Sequence, residues 1–159
     1  MTTFSLTMSQ SHESELRSHL IQHDGLERAA YIVCRSARIR RDPWDGEAHE
    51  ALLTVRIVPV SDDQTIERTR THVSWGTASF VKLLKEAEAE GLVVGIAHSH
   101  PGGRAKFSAQ DDTNEPDLMQ LVVNRNGPHF RFFSIVMTSE GELAGRVWLA
   151  PRPKACVEM

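Results

Sequence analysis

The sequence predicts a mixed α/β fold in which one β-sheet is flanked by helices. Three segments repeat their apolar residues with the period of an amphipathic helix. These segments alternate with β-rich runs, several of which follow one another across short turn sequences. Runs connected in this way form antiparallel hairpins, so the sheet is expected to be mixed and not purely parallel.

The first half of the chain is predicted to form an edge strand, a helix and a hairpin. Residues 3–8 alternate weakly between apolar and polar side chains, which is typical of a short edge strand. A helix is expected to start at Ser9 and to end before Gly25. The apolar run 26–34 is predicted to be a central strand, and the run 51–60 is expected to pair back on it across a turn.

The second half alternates helical and β-rich patterns in the same way. The predicted elements, in chain order, are a loop over 61–71, a helix over 74–90, a buried strand over 92–97, a helix over 108–124 and two hairpin strands over 130–138 and 142–149. Gly91 is the expected stop signal of the first of these helices. Pro116 is expected to make the first section of the second helix irregular.

Length and composition indicate one domain. The chain has 159 residues, of which 40% are hydrophobic, and this is enough for one well-packed core but too short for two ordinary ones. A single domain over residues 1–159 is therefore expected. The tail from about 150 to 159 carries two prolines and few side chains that a core could bury, so it is predicted to be disordered.

Charge and hydropathy exclude two classes of partner. The net charge is −3 with acids and bases mixed along the chain, and this pattern does not favour nucleic-acid binding. No apolar segment approaches the ~18 residues of a membrane-spanning helix, and residues 1–15 lack the pattern of a signal peptide.

Cys34 and Cys156 are too few for a disulfide framework, and Cys34 is expected to be a buried free thiol. A cytoplasmic protein with protein or peptide partners is predicted.

The segment 95–112 brings together residue types that bind metal ions. His98 and His100 come at the end of the predicted buried strand, one period-2 step apart, so their imidazoles point to the same side. Ser108 is predicted to cap the next helix, which puts Asp111 in its first turn, able to fold back toward the histidines. Two imidazole nitrogens, one carboxylate oxygen and a water make up a catalytic zinc site. One zinc ion per chain, bound by His98, His100 and Asp111, is expected.

This segment resembles the signature of the JAMM metalloproteases, also called MPN+ or JAB. That signature, H-x-H-P-x6-S-x2-D, matches at every fixed position from His98 to Asp111. The resemblance implies a fold similar to cytidine deaminase, a curved mixed β-sheet between helices. It also implies that His98, His100 and Asp111 hold zinc and that Ser108 helps to stabilise the oxyanion. A glutamate from an earlier strand is implied to act on the zinc-bound water.

The catalytic glutamate has no fixed spacing and has three candidates. In the family it stands where the strand after the first helix begins, commonly as E-x-x-G-x-L-x-G, and this position corresponds to Glu27. Ala30 and Cys34 replace the two glycines of that pattern. Glu47 and Glu50, just before the next strand, are the alternatives because they lie nearer the usual sequence distance from the histidines. Glu27 is favoured because it follows the first helix. Its sequence distance from the histidines counts for less, since the length of the intervening hairpin is free to vary.

The resemblance also implies a class of substrate. JAMM proteins hydrolyse isopeptide or peptide bonds after the C-terminus of ubiquitin or a ubiquitin-like protein, and the region before the motif, here 61–71, helps to grip the substrate tail. The sequences HSHPGG and FSAQDD resemble members associated with bacterial E1-like and E2-like enzymes, some of which are linked to anti-phage defence. Two alternatives stay open: a non-catalytic MPN scaffold module and a RadC-like protein, whose motif also reads H-S-H-P.

Overall fold

The computed structural model describes residues 2–150 and 156–159. Within these residues it has three helices and nine strands. The helices are α1 (Gln10–Leu20), α2 (Ala78–Glu90) and α3 (Ala109–Asn126). The strands are β1 (Thr3–Thr7), β2 (Ala29–Ile39), β3 (His49–Pro59), β4 (Thr65–Arg68), β5 (Val73–Trp75), β6 (Val93–His100), β7 (Phe132–Thr138), β8 (Leu143–Trp148) and β9 (Cys156–Glu158).

Seven strands form one mixed sheet, as the sequence predicts. Their order is β1-β3-β2-β6-β7-β8-β9, with β1 against β3 and β6 against β7 parallel and the other pairs antiparallel. The two edge strands, β1 and β9, approach each other, so the sheet is strongly curved. β1 is an edge strand and β2 lies inside the sheet, and both predictions are confirmed.

Both faces of the sheet are buried, and this explains the apolar run at the start of β2. Tyr31 and Val33 face a core that includes residues of α2 and α3. Ala30, Ile32 and Cys34 face a second core that includes residues of α1. Because successive strand residues point to opposite faces, a strand covered on both sides reads as a continuous apolar stretch.

Strand β6 lies at the centre of the sheet, between β2 and β7. Val93 to Ser99 are all buried. Gly95 allows this close packing, since a Cβ atom at Gly95 would overlap the ring of Phe133 on β7. Gly91 ends α2 in the left-handed conformation with φ of 66°, as its position after the helical pattern predicts. The helix begins at Ala78, four residues later than predicted.

Three sequence predictions about regular structure are wrong. The predicted loop over 61–71 contains β4, which pairs with β5 in a separate two-stranded sheet. Pro116 lies inside α3 without interrupting it. Proline has no N–H to donate to the carbonyl of Asp112, one turn earlier. This loss is tolerated because Asp112 is exposed to solvent. The end of the predicted disordered tail forms β9, which pairs with β8 and covers its edge, while residues 151–155 lie outside the described part.

None of the helices in the described residues combines the length and the apolar content that a membrane crossing requires.

Candidate metal centre

Two histidines converge at the end of β6. His98 is buried and His100 is partly exposed, and their Nε2 atoms are 3.0 Å apart. The two rings meet edge to face, with centroids 4.8 Å apart. The convergence follows from the strand period, because residues two apart point to the same side of a strand.

The third group of the site, Asp111, is held by the cap of α3. Ser108 is the N-cap residue: its backbone N–H and its hydroxyl both donate to Asp111 Oδ2, at 2.6 Å and 2.8 Å. The backbone N–H of Asp111 donates back to Ser108 Oγ at 3.2 Å, which completes a capping box. Oδ1 of the same carboxylate lies 3.3 Å from His98 Nε2. Oδ2, which lies 4.0 Å from His100 Nε2, therefore anchors the helix start, while Oδ1 faces His98.

The three groups have the donor set and the spacing of a metal site. One ligand atom from each of His98, His100 and Asp111 lies within 4.8 Å of the others. In a tetrahedral zinc site with bonds of ~2.0–2.1 Å, two ligand atoms are separated by ~3.3 Å. The separations of 3.0 Å between the two imidazoles and 3.3 Å between His98 and Asp111 are close to that edge. The group can therefore bind a metal ion.

A backbone carbonyl fixes the ring of His100 in the orientation that ligation needs. Nδ1 of His100 lies 3.3 Å from the carbonyl oxygen of Arg104, which can only accept a hydrogen bond. Nδ1 therefore carries the proton, and Nε2 presents its lone pair to His98 and Asp111. Burial lowers the pKa of His100, and the neighbouring His98 lowers it further. Both effects favour the neutral imidazole.

Glu27 lies beside the histidines. Its Oε1 is 3.9 Å from His100 Nε2. Its backbone N–H donates to the carbonyl of Thr69 at 2.8 Å. The next residue, Arg28, donates its backbone N–H to Ser99 Oγ at 2.9 Å and accepts from the Ser99 N–H at 3.0 Å. Because Ser99 stands between the two histidines, these bonds set the position of Glu27 relative to both.

The environment of Glu27 disfavours its charge. The residue is only 5% exposed, and this burial raises the pKa of its carboxyl to about 7. The charge of His98 opposes the rise, and that of Asp111 adds to it. Asp111 behaves in the opposite way: burial disfavours its charge, but the interactions with His98 and Ser108 outweigh burial and hold its pKa below the usual range. Two carboxyl groups with different proton affinities thus lie in one site.

The two alternative glutamates lie elsewhere. Glu47 is exposed in the turn between β2 and β3. Glu50 is buried, but it accepts a hydrogen bond from Ser36 at 2.9 Å and pairs with Arg131 at 3.7 Å. Neither acid is among the described residues that border the cavities beside the histidines.

Two cavities meet at the metal centre. One measures about 290 Å³ and the other about 660 Å³. Four residues border both of them: Glu27, Thr71, His100 and Ser108. The candidate metal centre therefore lies at a junction with open space on two sides.

The smaller cavity has an aromatic wall. Trp75 lies on β5, and its indole N–H donates to the hydroxyl of Tyr31 at 2.7 Å. Tyr31 in turn stacks on Phe80 of α2, with centroids 5.9 Å apart. The three rings border the cavity. Trp44, in the turn between β2 and β3, does not border this cavity and is 91% exposed.

Two further charged residues next to the site were not predicted as part of it. Glu115 is 1% exposed and borders the smaller cavity, and Arg146 binds it from β8 at 2.7 Å. A helical position that faces the core normally carries an apolar residue, so a glutamate at such a position could have indicated a buried charged pair. Arg146 gives no local signal in the sequence, because it lies 31 residues further along the chain than Glu115.

A curved mixed sheet with a His-His-Asp centre at a strand end defines the class of JAB or MPN domains. A family model for prokaryotic homologs of the JAB domain matches residues 9–149, and the chain belongs to this family. The family includes metalloproteases.

Among solved structures, the chain is similar to protein DSY2949 from Desulfitobacterium hafniense, known from a solution structure. The TM-score is 0.56 at 18% sequence identity, covering 98% of this chain and 90% of that chain. At this identity the likeness concerns the fold alone. A comparison with curated proteins finds no match.

The purified protein is expected to bind about one zinc ion per chain, the stoichiometry of a single three-residue site. His100→Ala and Asp111→Ala each remove one ligand and should abolish tight binding, as measured by elemental analysis after gel filtration. Binding should also weaken on acidification, because both imidazoles must be neutral to ligate. His129→Ala, at an exposed histidine, is the control. Full zinc content in both ligand variants would contradict the assignment.

Proposed function

We propose that this protein is a zinc-dependent hydrolase that cleaves peptide or isopeptide bonds after the C-terminus of a ubiquitin-like protein. The observation that carries the proposal is the position of Glu27. Its carboxyl group lies 3.9 Å from His100, beside a His-His-Asp group and at the junction of two cavities. A non-catalytic scaffold has no need for such a group.

The residues have complementary roles in this reaction. His98, His100 and Asp111 would hold zinc, and zinc bound there would supply Lewis-acid chemistry to a water molecule and to the scissile carbonyl. Glu27 takes a proton from the attacking water and gives it to the nitrogen of the leaving amine. In the metal-free site, burial raises the pKa of this carboxyl group above its usual range, which favours a role in carrying protons near neutral pH.

Ser108 has two roles in the proposal. As the N-cap of α3 it holds Asp111 through its hydroxyl and its backbone N–H, and a cap of this kind stabilises by ~1 kcal/mol. Its hydroxyl would also turn toward the oxyanion and donate a hydrogen bond there, an interaction that contributes roughly 3 kcal/mol in other hydrolases. For that it must leave Asp111 Oδ2, which the backbone N–H of Ser108 would continue to hold.

The shape of the site supports an extended substrate. The larger cavity borders the turn after β6, where Gly103 N–H donates to the carbonyl of His100 at 3.2 Å. The smaller cavity shares Glu27 with the larger one and is walled by β5 and by the aromatic rings. A peptide chain that crosses the metal centre would thus find space on both sides of the bond to be cleaved. This fits the narrow C-terminal tail of a ubiquitin-like protein.

The cellular setting follows from the motif resemblance. We propose that the substrate is a ubiquitin-like protein, or its conjugate, in a cytoplasmic bacterial pathway that includes E1-like or E2-like enzymes. Anti-phage defence is the proposed context of that pathway. The hairpin of β4 and β5, which contributes to the wall of the smaller cavity, is the proposed contact for the substrate tail.

Cleavage of a ubiquitin-like fusion with a tail after its C-terminal glycine is expected to stop with 1,10-phenanthroline and to continue with iodoacetamide. Burial raises the pKa of the Cys34 thiol to about 12, so this cysteine is protonated and inaccessible to alkylation in the folded protein. The assay is gel electrophoresis of the products, with zinc added back after chelation as the control. Cleavage that resists the chelator and stops on alkylation would contradict a metal mechanism.

Glu27→Gln should lower kcat by roughly 10²-fold or more, because the variant keeps the shape of the side chain but cannot carry the proton. Bound zinc should stay unchanged, since a general base does not ligate the metal. Glu47→Gln and Glu50→Gln are the matched controls and should change kcat by less than about twofold, as both residues lie away from the cavities. An inactive Glu50 or Glu47 variant beside an active Glu27 variant would overturn the assignment of the base.

A further inference from the structure

Arg146 of β8 contacts the start of α3 at two points. Its Nη1 donates to Asp112 Oδ1 at 2.6 Å. Its guanidinium carbon lies 3.9 Å from the centre of the Phe107 ring, a cation–π contact. Phe107 and Asp112 flank the capping box that Ser108 and Asp111 form. The residues immediately before and after the capping box are therefore attached to the same side chain.

The guanidinium is itself fixed deep in the protein. Arg146 is 9% exposed, and its Nε donates to Glu115 Oε2 at 2.7 Å. The same oxygen accepts hydrogen bonds from Ser134 of β7 at 2.8 Å and from Trp148 of β8 at 2.6 Å. A buried carboxylate with this number of donors has little freedom to move, so Glu115 links α3 to the sheet at a fixed distance.

These contacts bear on the metal centre because its ligands come from two different elements. His98 and His100 belong to β6, and Asp111 belongs to α3. Metal coordination tolerates deviations of only about 0.2 Å in the ligand distances. The start of α3 must therefore keep its position relative to the sheet, and the capping box alone cannot ensure this because all of its members belong to the helix start.

We infer that Arg146 is a positioning residue for the metal centre, which holds Asp111 at ligating distance from the two histidines through Asp112 and Phe107. This inference rests on the metal-binding part of the proposed function. Glu115 sets the position of Arg146, and Arg146 sets that of the helix start. Residues in such supporting positions typically change metal affinity by about 10- to 100-fold when they are replaced.

The decisive variant is Asp112→Asn. It weakens the contact between Arg146 and the helix start, while the buried pair of Arg146 and Glu115 stays intact, and the half-exposed side chain of Asp112 makes misfolding no concern. Zinc affinity, measured by competition with a chromophoric chelator, should fall by about 10- to 100-fold. The absorption spectrum of the cobalt(II)-substituted protein should differ from that of the wild type, because the position of Asp111 relative to the histidines changes. The urea midpoint of the metal-free protein should remain unchanged.

A second variant removes the arginine itself. Arg146→Met alone would leave the buried charge of Glu115 uncompensated and endanger folding, so it is combined with Glu115→Gln. This double variant should lose at least as much zinc affinity as Asp112→Asn. Arg131→Met combined with Glu50→Gln is the matched control, since it too removes an arginine together with the charge of the buried carboxylate that it pairs with. Asp117→Asn, an exposed acid on the same helix, is the control for loss of a negative charge near the site. Both controls should stay within about twofold of wild type.

The inference is overturned if Asp112→Asn and the double variant keep the zinc affinity and the cobalt spectrum of the wild type. It is equally overturned if the two controls lose as much affinity as the test variants, since the effect would then be one of general charge or stability. A wild-type protein that binds zinc but cleaves no ubiquitin-like substrate would contradict the hydrolase proposal alone. The expected differences in zinc affinity would stay the same in that case.

Discussion

The antiparallel pairing of β2 with β6 is the contact on which the candidate site depends. It joins Ala29 to His98 and continues beyond the start of β2 through the two hydrogen bonds between Arg28 and Ser99. Register is strongly specified wherever a face of the strand pair is buried. That register brings Glu27 to His100. The packing of the core thus sets the distance between the proposed base and the metal ligands.

Asp111 takes part both in the cap of α3 and in the candidate metal centre. Its backbone and Oδ2 complete the cap of α3, while Oδ1 faces His98. A carboxylate at a helix start is stabilised in its charged form by the backbone N–H groups and the helix dipole. The same ionised form is the one that binds a metal. Helix stability and metal binding therefore favour the same protonation state of one side chain, and the contacts of Arg146 add a third requirement on its position.

The sequence predicts most of the fold and the metal ligands, because these depend on local patterns. The spacing of His98 and His100 on a strand and the capping signal at Ser108 are short-range features, and the structure brings them together as expected. Strands β4 and β5 escape prediction, since they are short and only partly buried and so have little periodicity. The link from Arg146 to Asp112 spans 34 residues, and only the tertiary fold brings the two together.

X-ray absorption spectroscopy of the zinc-loaded protein tests most directly whether His98, His100 and Asp111 form one metal centre. The zinc ion is expected to have a first shell of four nitrogen and oxygen atoms at ~2.0–2.1 Å, with the outer-shell scattering of two imidazoles. This spectrum should be lost in His100→Ala, which no longer binds zinc tightly, and it should stay unchanged in Glu27→Gln. A first shell that contains sulfur at ~2.3 Å, or one with no imidazole scattering, would contradict the assignment of these residues as ligands.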